Sequence, residues 1–414
     1  MDDRFSAGTP QIESGGNASA VETLWLTTTS PMKTSSYQII GVLTFLVVWS
    51  IALIIMSVTL AKTAGQTQQY YRYYVPTLQL GSYNNTVDEV AKEIPGIELH
   101  IPSPMNNEDS IQIVIPSTMY QPSSSKGIVL LLHACTHSAL KFFSSSPSTC
   151  PNCVGLSEEL RIVRLVIASG YIPVAISSID RKSGCWSAAR DVVRIEAVLK
   201  HSFLSQFIKT TSSDNDGSNI IPRIIAIGGG AFAAELVTRD IVDSALIMVM
   251  SLSNGVVTKL RNSPKPIYLA PMSRDIGTMK RVMKNYHDLE SVTNFIILDT
   301  TTCDSFPLTT RYLIERVPGM TTDAGNELIC LLKNGGYIDL TNDRFILDPT
   351  KSNWRTFISP TNDTYWHKFV LTPGYSPLAK ALNRAWAFHE YCSETVVPAL
   401  TFFEKFQPNE LGTN

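Results

Sequence analysis

Short, unbroken apolar runs recur at Gly127–Leu132, 171–176, 221–227, 245–250, 266–270 and 295–298. Such runs suit strands of a parallel sheet that is covered on both faces. Between them lie stretches with helical periodicity. Ser157 opens one that carries Leu160, Ile162, Val163 and Val166, and 190–199 carries Val192, Val193, Ile195 and Val198. Two more follow at 231–242 and 275–286. Strands and helices alternating at this spacing predict an α/β domain with a mostly parallel sheet and helices on both faces. Before the first run, 110–114 alternates and reads as an antiparallel edge strand. Polar 210–219 reads as a surface loop. Residues 300–375 hold few clear strands and read as an insertion or cap. The last strong pattern, 376–392, reads as a helix with Leu378, Leu382, Ala385, Trp386 and His389 on one face. No internal repeat is seen.

One run is of another kind. Residues 39–61 contain no charge and are closed by Lys62. About 20 apolar residues span a bilayer, so 38–62 reads as a single-pass transmembrane helix. A core helix apolar all round over this length is unusual. Residues 1–37, rich in Ser, Thr and Gly, read as a disordered tail. Residues 63–96 read as a stalk, 97–400 as the α/β domain and 401–414 as a C-terminal tail. All seven cysteines follow the span, as do two of the three N-x-S/T sequons, at Asn84 and Asn362, with Asn17 before it. Cysteines and sequons on one side suit an oxidising compartment, so the C-terminal domain is expected to be lumenal or extracellular. Lys33 and Lys62 flank the span almost evenly and give the charge rule little to decide.

A formal net charge of −2 with no basic stripe speaks against a nucleic-acid partner. The candidate chemistry lies where predicted strands end. The third apolar run leads into Gly228-Gly229-Gly230 and a helix begins at once. In α/β-hydrolases a tight strand-to-helix turn of this kind holds a nucleophilic serine above the sheet. Glycine can make the turn but cannot attack a carbonyl. Asp275 follows the strand at 266–270, where a carboxylate could orient a histidine or simply cap a helix. Asp299 and Asp304 are its rivals. His389, late in the chain, is the candidate base, with His287 and His367 as rivals and a packed core histidine as the plain alternative. Turn, acid and base come in the chain order of an α/β-hydrolase triad.

The first run leads into His133-Ala134-Cys135-Thr136-His137. A loop here could supply backbone N–H groups to an oxyanion hole, from Ala134 and Cys135 together with Gly229 and Gly230, or be an ordinary strand end. With Cys150 and Cys153, the same residues could form a zinc or thiol centre. Disulfides among Cys135, Cys150, Cys153 and Cys185 are the preferred reading, since there is no second C-x-x-C and H-x-C-x-H is not a usual zinc knuckle. No cofactor or metal is expected.

These segments resemble a poorly characterised α/β-hydrolase-fold family of photosynthetic eukaryotes. His133 to Ser138 looks like that family's H-G-C-x-H-S, and Cys150 to Glu159 looks like C-P-x-C-x-G-L-P-E-E. Gly184-Cys185-Trp186-Ser187 is similar to its C-W-S element, Met272 to Asp275 to M-P-x-D, and Ser376 to Glu390 to its terminal S-P-…-H-E segment. The likeness covers roughly residues 110–395. The family's elbow, approximately G-A-S-S-G-G, departs here to Gly228-Gly229-Gly230-Ala231-Phe232, as if a short piece with the serine were absent. The resemblance therefore implies a hydrolase fold with impaired or lost activity and a ligand- or partner-binding role. The alternatives are a serine-type hydrolase of esters or other acyl compounds, and the thiol or zinc protein.

Overall fold

The structure is a computed structural model that describes residues 93–105, 110–122, 125–204, 223–291, 298–358, 369 and 375–406. Eight strands form one sheet in the order β1-β2-β4-β3-β5-β6-β7-β8. They are β1 (Gly96–Pro102), β2 (Ser110–Pro116), β3 (Gly127–Leu132), β4 (Ile172–Ile176), β5 (Arg223–Gly229), β6 (Ser244–Met248), β7 (Ile267–Ala270) and β8 (Leu298–Thr300). From β4 through β3 to β8 every neighbouring pair is parallel. β2 is antiparallel to both β1 and β4, so it is not the edge strand that its alternation suggests. The edge belongs to β1, whose Glu98 and His100 hide its strand character from the apolar pattern.

The strand period of two divides the core between the sheet's faces. In β3, Val129 and Leu131 point into one cluster, and Ile128, Leu130 and Leu132 into the other. The first cluster is closed by α1 (Ser157–Ala168) and by a C-terminal helix, Val396–Phe403. The second is closed by α2 (Ala188–Lys200), α3 (Ala231–Val237), α4 (Asn254–Asn262) and α5 (Ile276–Glu290). Complete burial of each such Val, Leu or Ile side chain contributes about 1.5–3 kcal/mol. A mostly parallel sheet with helices on both faces, antiparallel at its first strands, is an α/β-hydrolase-like architecture.

Described residues between Leu308 and Ala385 form a third core around Leu313, Leu328, Trp354 and Leu382. Its helices are α6 (Thr310–Arg316), α7 (Thr322–Asn334), α8 (Trp354–Ile358) and α9 (Pro377–Trp386).

Three boundaries differ from the sequence expectation. Ile94 is already core, and Ser144 donates its N–H to the Ile94 carbonyl, so the domain begins inside the expected stalk. The helix α10 (Val396–Phe403) runs into the expected tail because Phe402 and Phe403 are buried against the sheet. The helix expected over 376–392 ends at Trp386. Ala387 takes a left-handed conformation (φ 63°) and turns the chain out of it. Among the described residues no helix is long and apolar enough to cross a membrane. The expected transmembrane run at 39–61, the tail before it, His367 and the sequons at Asn84 and Asn362 lie outside them.

Candidate functional site

The loops at the carboxyl ends of β3, β5 and β7 meet, the usual location of a site in an open α/β sheet. Two of the sequence candidates are brought together there. His389 Nδ1 lies 3.0 Å from Asp275 Oδ2. The carboxylate can only accept, so the imidazole carries a proton on Nδ1, and in the neutral ring this leaves Nε2 as the acceptor. Nε2 has no partner among the described residues. The His389 side chain is 54% exposed and that of Asp275 14%, so the base can be reached from solvent while the acid is held behind it.

Asp275 makes two contacts, one to the helix that follows it and one to His389. Its Oδ1 accepts the Thr278 N–H at 3.1 Å as the cap of α5, and Oδ2 holds His389. Burial pushes the Asp275 carboxyl up, but hydrogen bonds from His389 and Thr278 outweigh it and hold the group below the ordinary carboxylate range. The rivals stand elsewhere. Asp299 accepts from its neighbour Thr300, and His287 pairs with Glu290 on the exposed side of α5.

His389 lies in a loop, not on a helix face, and takes φ 47°. Thr136, Val249 and Ala387, in adjoining loops, also have positive φ. Non-glycine residues in this region carry strain of order 1–3 kcal/mol each, and such strain concentrates at functional sites.

The turn after β5 is complete. β5 ends at Gly229, α3 begins at Ala231, and Gly230 alone makes the turn, with φ 105° and ψ 172°. Gly230 thus occupies the turn between strand and helix, and no serine lies in it. A Cβ at Gly230 would meet only Met250 Cγ at 3.8 Å, so space for a side chain remains. Phe232, in the first turn of α3, stacks on Trp186 with ring centroids 4.8 Å apart.

The expected oxyanion donors divide. Gly229 donates its N–H to the Tyr391 hydroxyl at 3.2 Å, and Gly230 donates to the Met248 carbonyl at 3.3 Å. Both donors are spent, which removes them from the expected set. The N–H groups of Ala134 and Cys135 have no acceptor among the described residues. Ala134 Cα would lie 3.7 Å from a Cβ on Gly229, which puts this loop against the turn.

The loop after β3 is pinned in three ways. Cys135 is bonded to Cys185, Trp186 Nε1 donates to the His133 carbonyl at 2.8 Å, and Thr136 N–H donates to the Ser183 carbonyl at 2.6 Å. Gly184 is required there, because a Cβ would lie 2.7 Å from Thr136 N. His133 is structural. Nδ1 donates to the Ala134 carbonyl at 2.9 Å and Nε2 accepts the Ser178 N–H at 3.0 Å. Burial drives its pKa down to about 4, so the imidazole is neutral.

The zinc or thiol centre does not assemble. Cys135 is consumed by Cys185, Cys150 pairs with Cys153, and His137 Nδ1 binds the buried Glu159 at 3.1 Å. Among the described residues no three His, Cys, Asp or Glu side chains are placed to hold a metal ion.

Three participants escaped the sequence reading. Tyr391 accepts from Gly229 and donates to the Leu132 carbonyl at 2.7 Å, joining the His389 segment to β3 and β5. Cys303 is bonded to Cys392, three residues beyond His389. Arg274, next to Asp275, lies with its guanidinium carbon 3.6 Å from the Trp386 ring centroid. The spacing His389-x-Tyr391-Cys392 was visible in the sequence, but the partners that give it meaning are distant in the chain.

No known family matches the chain, and no curated protein matches it. Solved structures do. A thermostable esterase aligns with a TM-score of 0.32 at 13% identity, over 51% of this chain and 55% of the esterase. A dienelactone hydrolase from Anabaena variabilis aligns with a TM-score of 0.31 at 12% identity, over 56% of this chain and 94% of its own. An alpha-beta serine hydrolase homologue from Coxiella burnetii gives 0.34 at 10% identity, over 57% and 96%. These likenesses are low, so the strand order and the disposition of the loops carry the assignment: the described domain is built on an α/β-hydrolase-like fold.

Proposed function

We propose that this protein is a membrane-anchored α/β-hydrolase homologue that keeps the acid–base pair of a hydrolase without its nucleophile, and that it binds a small acyl ligand or a partner instead of turning over an ester. The observation that carries this reading is Gly230. It occupies the nucleophile turn, and glycine offers no atom for a covalent acyl intermediate. The run at 39–61 is the proposed anchor. The paired cysteines suit a lumenal or extracellular domain.

A second reading is favoured by the 3.0 Å contact between His389 and Asp275. An exposed imidazole held as an Nε2 acceptor is the arrangement a general base needs. On this reading the chain is an active acyl hydrolase that recruits a serine from elsewhere. Treatment of the full chain with a fluorophosphonate probe, beside His389→Ala, separates the two. Absence of labelling in folded protein is the expected result. Labelling of the parent that disappears in the variant would overturn the inactive reading, and the mapped adduct would name the serine.

A further inference from the structure

Arg274 directly precedes Asp275 in the loop after β7, yet the Asp275–His389 pair does not use it. Its backbone N–H donates to the Ala387 carbonyl at 3.1 Å, which fixes it against the His389 segment. Its guanidinium lies over Trp386 at 3.6 Å. Stacking occupies the face of the guanidinium and leaves the in-plane N–H donors at its edge. Among the described residues those donors meet no hydrogen-bond acceptor and no carboxylate within 4.0 Å.

A second guanidinium is tied to the same region, for Ser305, which holds Arg344, precedes Phe306, whose N–H donates to the Ala385 carbonyl next to Trp386. Arg344 donates through Nη1 to the carbonyl and hydroxyl of Ser305, and no carboxylate among the described residues pairs with it. Burial lowers Arg274 from its ordinary value and the charge of Arg344 lowers it further, while Asp348 acts the other way. Asp348 is already engaged by Lys351 at 3.4 Å and by Thr350. Asp275 is engaged by His389. Asp348 and Asp275 are thus already engaged, which leaves the edge of the Arg274 guanidinium without an internal partner among the described residues. The surroundings are apolar as well: Ile276, next to Asp275, is 56% exposed, and Met250, beside the Gly230 turn, is 42% exposed.

We propose that Arg274 and Arg344 form a carboxylate-binding site beside the Asp275–His389 pair, and that its ligand is an aliphatic compound with a free carboxylate. Guanidinium groups bind carboxylates through paired, charge-assisted hydrogen bonds, and a guanidinium already stacked on an aromatic ring loses less freedom on binding. The proposal rests on the reading of this region as a ligand site and gives that ligand a chemical class.

The test is isothermal titration of the full chain with octanoate, octanol and inorganic phosphate, on the parent, Arg274→Gln, Arg274→Lys and Arg344→Gln. Octanoate is expected to bind the parent and to weaken at least tenfold in Arg274→Gln, with a loss in Arg344→Gln and only partial rescue by Arg274→Lys. Octanol and phosphate are expected not to bind. Arg274 is exposed, so its variants keep the parent's unfolding temperature, which separates lost binding from lost fold. Octanoate that fails to bind the parent, or binds Arg274→Gln equally well, overturns the proposal. Phosphate binding as well as octanoate overturns the carboxylate class. Serine labelling by the fluorophosphonate probe would instead overturn the inactive reading, whatever octanoate does.

Discussion

The backbone N–H of Gly229, in the last strand position before the turn, donates to the hydroxyl of Tyr391 at 3.2 Å, and that hydroxyl donates onward to the Leu132 carbonyl at 2.7 Å. One buried oxygen therefore fastens the His389 segment to two adjacent strands. Tyr391→Phe removes it and leaves a buried donor and acceptor unmatched, costing about 1–3 kcal/mol per orphaned group. A denaturant titration is expected to show a lower midpoint with an unchanged slope.

Gly230→Ser places a hydroxyl at the nucleophile position. The added Cβ has room beside Met250, although φ 105° strains any side chain by roughly 1–3 kcal/mol. Fluorophosphonate labelling is expected to appear in Gly230→Ser and to vanish in the Gly230→Ser, His389→Ala double variant. A folded but unlabelled Gly230→Ser would show that the turn and the base are out of reach of one another.

The neutral His133 makes stability depend on pH. Its pKa falls from 6.5 to about 4 on folding, so between these values the unfolded chain binds more protons. The contribution, about 3 kcal/mol, is complete above pH 6.5 and is lost as pH falls to 4. Unfolding free energies across pH 4–7 are expected to rise with pH, and His133→Gln is expected to flatten that slope.

The Cys303–Cys392 bridge joins the loop of the acid to the segment of the base. Cys303 exchanges backbone hydrogen bonds with Pro271 and Ser273, just before Asp275, and spans 89 residues to Cys392. Cys392→Ser is expected to destabilise the domain by about 2–5 kcal/mol. Hydrogen exchange is expected to accelerate at residues 387–393 more than in β3 or β5.

Much of the fold was legible because a buried parallel strand must be apolar throughout. The runs at Gly127–Leu132 and 266–270 became β3 and β7 with little change at their ends. β1 was not legible, since its partner is β2 and its outer residues are polar. Asp275 could be singled out because it follows a strand whose end the pattern marks, and His389 because it comes late in the chain, after the turn and the acid. Their geometry could not, because left-handed Ala387 and His389 carry no glycine to announce them. The assignment of Gly229 and Gly230 as free donors failed for a related reason. Their acceptors are Tyr391, 162 residues away, and the neighbouring strand's Met248.

From His389 to Ser393 each residue is tied to a different part of the chain. His389 holds Asp275, Glu390 holds Lys380, Tyr391 holds Leu132 and Gly229, Cys392 holds Cys303, and Ser393 donates to Glu158. The segment works like a zip with five different teeth, and a single-residue deletion inside it would misalign those that follow. The imidazole is thus kept in place by its neighbours' architectural duties, because the scaffold needs the peptide that bears it.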